Sequence, residues 1–96
     1  MSVLVKVEAV AKPECVEEFI QSLEKGLPDT RASEGCRDIT AYLHEDGVSF
    51  VVVEHWESKA HYEKYLAWRT QTGVMDALAT FLVVPLEIKF FQAIEA

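Results

Sequence analysis

The sequence predicts an α+β domain with the element order β-α-β-β-α-β, the ferredoxin-like pattern of a four-stranded antiparallel sheet with helices on one face. Apolar residues alternate with period two in the outer segments and form long apolar runs in the middle, which indicates strands. Two other segments repeat apolar residues at helical spacing, and an Asp-Gly turn separates the two middle strands. A chain of 96 residues has room for one hydrophobic core, so we expect a single domain over residues 1–96.

The first half of the chain predicts a strand and then a helix. Valines alternate with other residues at the start of a strand expected over residues 3–11. Pro13 suits the first position of the helix that follows. Its apolar stripe consists of Val16, Phe19, Ile20, Leu23 and Leu27. Gly26 and Pro28 are expected to end this helix, and residues 28–35 to form a loop.

The second half predicts a hairpin, a helical region and a last strand. The turn 45–47 separates strands expected at 36–44 and 48–56. Ser58 is placed to cap a helix that reaches about residue 72, breaks near Gly73 and resumes over 74–82. The last strand is expected over 86–94, at an edge of the sheet, because Pro85 at its start cannot donate a ladder hydrogen bond.

The third strand predicts how the chain assembles. Phe50, Val52 and Trp56 point to one face of the sheet, while Val51 and Val53 point to the other. A sheet covered on one side by helices usually has a polar second face, yet here both faces are apolar. The chain is also 50% hydrophobic and has no further element to cover the second face. We therefore expect a homodimer through the sheet face, which would form a dimeric α+β barrel.

The charge balance excludes two classes of partner. Sixteen acidic and nine basic residues give a net charge of −7, and the chain has no Lys/Arg cluster, so nucleic acid and anionic membranes are not expected to bind. Lys6 and Glu8 interrupt the start of the chain, which therefore lacks a signal-peptide pattern. We expect a cytoplasmic protein in which Cys15 and Cys36 stay reduced, since their spacing suits neither a metal nor a redox motif.

Several ordered motifs resemble the antibiotic biosynthesis monooxygenase superfamily, which includes small quinol monooxygenases. The matching pieces are Val-Lys-Val-Glu-Ala-Val-Ala-Lys-Pro at 5–13, Ser-Glu-Gly-Cys at 33–36, Glu-His-Trp-Glu-Ser at 54–58, and the aromatic helix that follows. The resemblance implies a dimeric α+β barrel and cofactor-independent oxygenation of a small aromatic, quinol or anthrone-like substrate by O₂. Haem-degrading relatives carry a tryptophan and a histidine where this chain has Tyr65 and Met75, so we expect neither haem nor another cofactor or metal.

The candidate site lies in the aromatic segment around the second helix. Residues 55–68 hold both tryptophans, two of the three tyrosines and two of the three histidines. For the implied chemistry, Trp56, Tyr65 and Trp68 are the candidate substrate-binding residues, as flat walls for an aromatic ring. Any of the histidines His44, His55 and His61 could accept the proton, and Arg69 could stabilise an oxyanion; His61 and Arg69 form the expected catalytic pair.

Each of these assignments has a structural alternative. Trp56 ends a strand beside a helix start, where a tryptophan often packs in the core. Tyr65 lies at ordinary helical core spacing. Arg69 could pair with an acidic neighbour such as Glu63 or Asp76, or extend into solvent.

Two other functions also fit the sequence. One is a non-catalytic dimeric binding module for a small aromatic metabolite, which would have a pocket without a group placed to take a proton. The other is an isomerase or lyase on the same fold, which would need an acid and a base across the pocket. Adjacent Glu54 and His55 cannot form such a pair on a regular strand, since they point to opposite faces.

Overall fold

The computed structural model describes residues 2–94 and confirms the predicted order of elements. Residues 1, 95 and 96, which the single-domain prediction includes, lie outside the described part. A short 3₁₀ turn, Pro13–Cys15, precedes the first helix. The strands and helices are β1 Val3–Val10, α1 Val16–Arg31, β2 Cys36–Leu43, β3 Ser49–Trp56, α2 Lys59–Gln71, α3 Val74–Ala79 and β4 Glu87–Gln92.

The sheet has the strand order β2-β3-β1-β4, and every neighbouring pair is antiparallel. The predicted edge position of β4 is therefore confirmed. Val7 of β1 lies opposite Val52 of β3 on one side and Ile88 of β4 on the other. This register places alternate residues of all strands on one inner face, which the helices cover.

The core lies between that inner face and the helices. Val5, Val52 and Trp56 are buried in its first part, and Phe19 of α1 packs edge-to-face on Phe50 in its second part, with ring centroids 4.8 Å apart. Burial of an aliphatic or aromatic side chain of this kind contributes about 1.5–3 kcal/mol. The alternation of β3 predicted from the sequence is therefore correct.

The predicted end of the first helix is wrong. Helix α1 continues through Pro28 to Arg31, and residues 28–31 are helical rather than loop. A proline inside a helix removes one backbone hydrogen bond, at a cost of about 3 kcal/mol in an ordinary helix interior. Tertiary contacts oppose this cost, because Thr30 in the added turn is buried and its hydroxyl contacts Tyr65 of α2.

The last helix and the last strand are shorter than predicted. Helix α3 ends at Ala79, and Leu82 instead forms an isolated antiparallel bridge with Ala11. Backbone hydrogen bonds from Lys12 N to Phe81 O (2.8 Å) and from Val83 N to Val10 O (2.8 Å) hold the chain there. These bonds join residues 81–83 to the end of β1, so the chain leaves the helix that the apolar spacing alone favoured.

The outer face of the sheet is partly apolar, as the sequence predicted. Leu4, Val51 and Val53 are half-buried at its centre, and Tyr42 and Phe91 on the edge strands are 55% and 44% exposed. This face also carries charged side chains: Lys6, Glu8, Glu87 and Lys89 form ion pairs with one another, and Asp38 pairs with His55. Among residues 2–94, no helix combines the length and the hydrophobicity that crossing a membrane requires.

Candidate functional site

A cavity of about 410 Å³ lies between the inner face of the sheet and the helices. Its volume falls within the range of about 300–1,000 Å³ that is typical of small-molecule sites. The walls are mostly apolar, and all three helices contribute to them. Its lining residues from the sheet are Val7, Ala9, Ile39, Val52, Glu54 and Ile88, and those from the helices include Phe19, Leu23, Gly26, Thr30, Tyr62, Tyr65, Leu66, Arg69, Met75 and Leu78.

Glu54 is a carboxyl group on the apolar face of β3, and it lines the cavity. The side chain is 4% exposed, and its Oε1 accepts a hydrogen bond of 2.9 Å from the indole Nε1 of Trp56. Burial raises the pKa of Glu54 to about 7, although the hydrogen bond from Trp56 acts to lower it. At neutral pH this group is therefore present in both protonated and ionised forms.

The second oxygen of Glu54 is open to the cavity. No donor from residues 2–94 bonds to Oε2, and that part of the chain has no enclosed side-chain oxygen or nitrogen without a partner. Oε2 must therefore be accessible, and the cavity is the space that Glu54 lines. A carboxylate oxygen in this position can accept a proton from a molecule that enters the cavity.

Tyr62 also lines the cavity. Its ring packs edge-to-face on Trp56, with centroids 5.5 Å apart, and on Phe90, at 5.6 Å. Burial raises the pKa of Tyr62 above its usual range, and the charge of Glu54 raises it further. Tyr62 is therefore a neutral hydroxyl that can donate a hydrogen bond to an oxyanion.

A hydrogen-bonded cluster joins helices α1 and α2 along another wall of the cavity. Tyr65 Oη lies 2.7 Å from Thr30 Oγ1, and Arg69 Nε donates to Tyr65 Oη at 3.0 Å. Arg69 Nη2 donates to the carbonyl oxygen of Gly26 at 2.8 Å and to Thr30 Oγ1 at 3.3 Å. Through these contacts Arg69 is held in one orientation beside the cavity, with 6% of its surface exposed.

The cavity thus combines mostly apolar walls with several polar groups, among which Glu54, Tyr62 and Arg69 can take part in chemistry. Glu54 comes from the sheet, whereas Tyr62 and Arg69 lie about two turns apart on α2. The arrangement can hold a flat apolar molecule, remove a proton from it and stabilise the resulting negative charge. Residues 2–94 contain no cluster of three or more His, Cys, Asp or Glu side chains suited to a metal ion.

Comparison with known proteins identifies the family. Residues 2–74 match the family described as antibiotic biosynthesis monooxygenase. The chain belongs to this family. The match confirms the resemblance predicted from the ordered motifs, and it covers every element up to the start of α3.

Solved structures of family members and other proteins share the fold. A Deinococcus radiodurans protein that carries the family's name superposes with a TM-score of 0.85 at 25% identity, over 98% of this chain and 94% of its own. SnoaB from Streptomyces nogalater, a cofactor-independent oxygenase, superposes with a TM-score of 0.84 at 17% identity, over 99% of this chain and 95% of its own. A conserved protein from Methanosarcina mazei superposes with a TM-score of 0.87 at 20% identity, over 96% of this chain and 92% of its own.

Two of the five site residues predicted from the sequence line the cavity in this antibiotic biosynthesis monooxygenase family member. They are Tyr65 and Arg69. Arg69 pairs with neither Glu63 nor Asp76, the acidic neighbours considered above, and its partners are uncharged. The roles predicted for Tyr65 in substrate binding and for Arg69 in oxyanion stabilisation stay predictions, and both residues now have a defined location in the cavity wall.

The other three predicted residues lie outside the cavity lining. Trp56 is fully buried behind the wall, where it supports Glu54 and Tyr62. Trp68 is 44% exposed and stacks on the guanidinium of Arg69, with its ring centroid 4.6 Å from Cζ. Both can position residues of the site, and neither is among the residues that line this cavity, so their predicted role in substrate binding stays a prediction.

His61 occupies the first turn of α2, away from the cavity lining. Its Nδ1 lies 2.6 Å from the hydroxyl of Ser58, the residue that caps this helix. The ring packs against Gly35, whose positive φ of 87° and missing Cβ leave room for it. The catalytic role predicted for His61 is untested, and this location gives it a structural role.

Sequence reasoning missed Glu54 and Tyr62 as site residues. The signal for Glu54 was present, because it shares the apolar face of β3 with Val52 and Trp56, and a carboxyl group on such a face is rarely buried without a function. His55, by contrast, points outward and pairs with Asp38 at 2.7 Å. Tyr62 carried no comparable signal, since aromatic residues at helical spacing are common in cores.

Proposed function

We propose that this protein is a cofactor-independent monooxygenase acting on a small aromatic, quinol or anthrone-like substrate. The observation that carries the proposal is the carboxyl group of Glu54, which opens into an apolar cavity and has a pKa of about 7. A general base works best when its pKa lies near the working pH. Family membership and the likeness to a cofactor-independent oxygenase also favour this reaction.

In the proposed reaction, Glu54 Oε2 removes a proton from the substrate. The resulting phenolate or enolate is electron-rich and passes an electron to O₂, after which the two radicals combine at carbon. The peroxide anion formed in this way takes the proton back from Glu54, and loss of water from the resulting hydroperoxide leaves a carbonyl group. For an anthrone, the reacting CH₂ group and O₂ become a carbonyl group and one water molecule, so the electrons lost by carbon are those gained by oxygen.

The cavity assists this chemistry through its remaining groups. Its apolar walls exclude water from the reactive anion. The neutral hydroxyl of Tyr62 and the guanidinium of Arg69 can stabilise negative charge on substrate oxygens. Tyr65 offers an aromatic face for the substrate ring and keeps Arg69 in place through its hydroxyl.

Oxygen uptake by the purified protein tests the proposal. Reduced naphthoquinols and anthrone would be supplied without metal or added cofactor, and the rate compared with autoxidation in the absence of protein. We expect uptake above that background and incorporation of one ¹⁸O atom from ¹⁸O₂ into the product. Uptake equal to background for all of these substrates would contradict a monooxygenase and favour a non-catalytic aromatic-binding module.

A second candidate is an isomerase or lyase that uses the same cavity. It is favoured by the pairing of a base, Glu54, with a neutral acid, Tyr62, on adjoining walls. Proton transfer alone needs no O₂. Deuterium exchange from D₂O into an anthrone under anaerobic conditions, without subsequent oxygenation in air, would favour this candidate over the monooxygenase.

We propose further that the protein is a homodimer in the cytoplasm. The partly apolar outer face, with Val51 and Val53 at its centre and Tyr42 and Phe91 exposed toward its edges, supports a second copy as its cover. An interface between identical faces is self-complementary, as a two-fold dimer requires. The cavity of each protomer lies on the opposite side of the sheet, so it would stay accessible.

A further inference from the structure

Arg69 is a buried cation without an anionic partner among residues 2–94. Its Nε and Nη2 donate three hydrogen bonds, and all three acceptors are uncharged oxygens, those of Tyr65, Gly26 and Thr30. None of the ion pairs formed by this part of the chain involves Arg69. Buried charges in proteins are normally paired, because removal from water is costly.

The unpaired charge lies on the wall of the cavity. Arg69 and its three hydrogen-bond partners all line it. Nη1 donates to no described residue, yet no enclosed nitrogen in residues 2–94 lacks a partner, so Nη1 is accessible. It is therefore free to donate charge-assisted hydrogen bonds to a molecule in the cavity.

The other charged groups of the cavity do not neutralise Arg69. Lys25 and Asp29 are exposed at its open side and carry opposite charges. Glu54 lies on the sheet, where its hydrogen bond is with Trp56, and it forms no ion pair with Arg69. The guanidinium and the Glu54 carboxyl thus act at separate places in the cavity, one suited to an anion and the other to an ionisable hydroxyl or carbon acid.

We propose that the substrate is a hydroxyaromatic acid whose carboxylate binds Arg69 Nη1 while its reacting end faces Glu54. This inference deepens the proposed function and rests on it for the reacting end only. A carboxylate supplies the counter-charge that the fold omits, and the desolvated pair is stronger than it would be in water. Because Arg69 and Glu54 form no ion pair, the acid of the substrate and its reacting end must lie at different positions of the ring system.

Equilibrium binding of three probes in the absence of O₂ tests the inference. They are 6-hydroxy-2-naphthoate, its methyl ester and 2-naphthol, which share the ring and the hydroxyl, and only the first carries a negative charge. Titration by probe fluorescence should show the acid binding at least tenfold more tightly than the ester, which is about 1.4 kcal/mol. Arg69→Gln should remove this preference and leave the affinity for 2-naphthol within about twofold, whereas Arg69→Lys should retain part of it.

Lys25→Gln is the matched control. It removes a cation from the open side of the cavity, so a preference caused by general electrostatic attraction would fall in this variant. We expect the ratio of acid to ester affinity to change less than twofold. If Arg69→Gln fails to fold, the ratio in the wild-type protein and in the Lys25 and Arg69→Lys variants decides the question.

Two outcomes would overturn the inference. One is an acid that binds no more tightly than its ester in the wild-type protein, and the other is an equal loss of affinity for all three probes in a folded Arg69→Gln variant. A measurement of oxygen uptake distinguishes failure of this inference from failure of the proposed function. Acid preference without uptake would overturn the monooxygenase alone, whereas uptake from neutral quinols without acid preference would overturn the hydroxyaromatic acid alone.

Discussion

Trp56 donates the hydrogen of its indole nitrogen to Glu54 Oε1 across 2.9 Å, between two residues that share one face of β3. The bond engages one carboxyl oxygen and leaves the other open to the cavity. Trp56 is fully enclosed, so the bond also holds the Glu54 side chain in one position. This pair explains how a strand with an apolar inner face can present a single group able to accept a proton.

Substitution of Glu54 tests its role as the base. Glu54→Gln keeps the size of the side chain and an oxygen that can accept the Trp56 hydrogen bond, but it cannot take a proton. We expect kcat for oxygen uptake to fall by about 10²-fold or more, the usual contribution of a general base. Glu63→Gln on the exposed side of α2 is the control and should keep the wild-type rate. A Glu54→Gln variant with undiminished turnover would show that another group removes the proton.

The same substitution should change how stability depends on pH. Because the pKa of Glu54 is raised from 4.5 to about 7, the native state keeps a proton that the unfolded state loses in this range. Stability therefore falls as pH rises from about 4.5 to about 7, by on the order of 3 kcal/mol. Urea unfolding should find Glu54→Gln more stable than the wild type by up to this amount at about pH 8, and by much less at about pH 5. A difference that does not vary with pH would contradict the buried, ionisable state of Glu54.

Substitution of His61 separates the two candidate bases. His61→Gln removes the ring that contacts Ser58 and Gly35, so we expect a loss of about 1 kcal/mol, comparable with the loss of a helix cap. Oxygen uptake by the folded variant should stay close to the wild-type rate, because His61 lies outside the cavity lining. A fall of about 10²-fold in a fully folded His61 variant would restore the catalytic role predicted from the sequence.

Two glycines with similar backbone angles provide a matched pair. Gly35 has φ of 87° and Gly47 has φ of 81°, so alanine at either position costs about 1–2 kcal/mol in backbone strain. A Cβ on Gly35 would also lie 2.5 Å from Cγ of His61, whereas one on Gly47 would have nothing within 4 Å. Chemical denaturation should show that Gly35→Ala loses at least about 1 kcal/mol more than Gly47→Ala. Equal losses would mean that the His61 ring moves aside freely.

A charge on the outer face tests the proposed dimer. Val53 lies at the centre of this face, opposite Lys6 and Thr40 of the neighbouring strands. Val53→Asp should convert a dimer into a monomer in sedimentation velocity, because the cost of burying a carboxylate at the interface exceeds what an ion pair with the neighbouring Lys6 returns. Ala67→Asp, on the exposed side of α2, should leave the dimer intact. A wild-type protein that sediments as a monomer at micromolar concentration would overturn the proposal.

The order of the secondary-structure elements could be predicted from the sequence because hydrophobic periodicity and turn residues act locally. The Asp-Gly turn, the Ser58 cap and the position of Pro85 each act through nearby backbone atoms, and the structure has the hairpin, the helix start and the edge strand where they were predicted. Locality also explains the error at Pro28. A proline favours the end of a helix, and only the contact of Thr30 with Tyr65, far along the chain, shows why the helix continues.

The sequence by itself determined the fold, its family resemblance and the segment richest in candidate site residues. The tertiary structure alone decided which of those residues meet at the cavity. Tyr65 and Arg69 line it, whereas His61 and Trp68 do not, although all four lie on one helix. Helical spacing places residues on a face, but the neighbouring helix and strand determine whether that face meets a cavity, the core or solvent, and those contacts join residues distant in the chain.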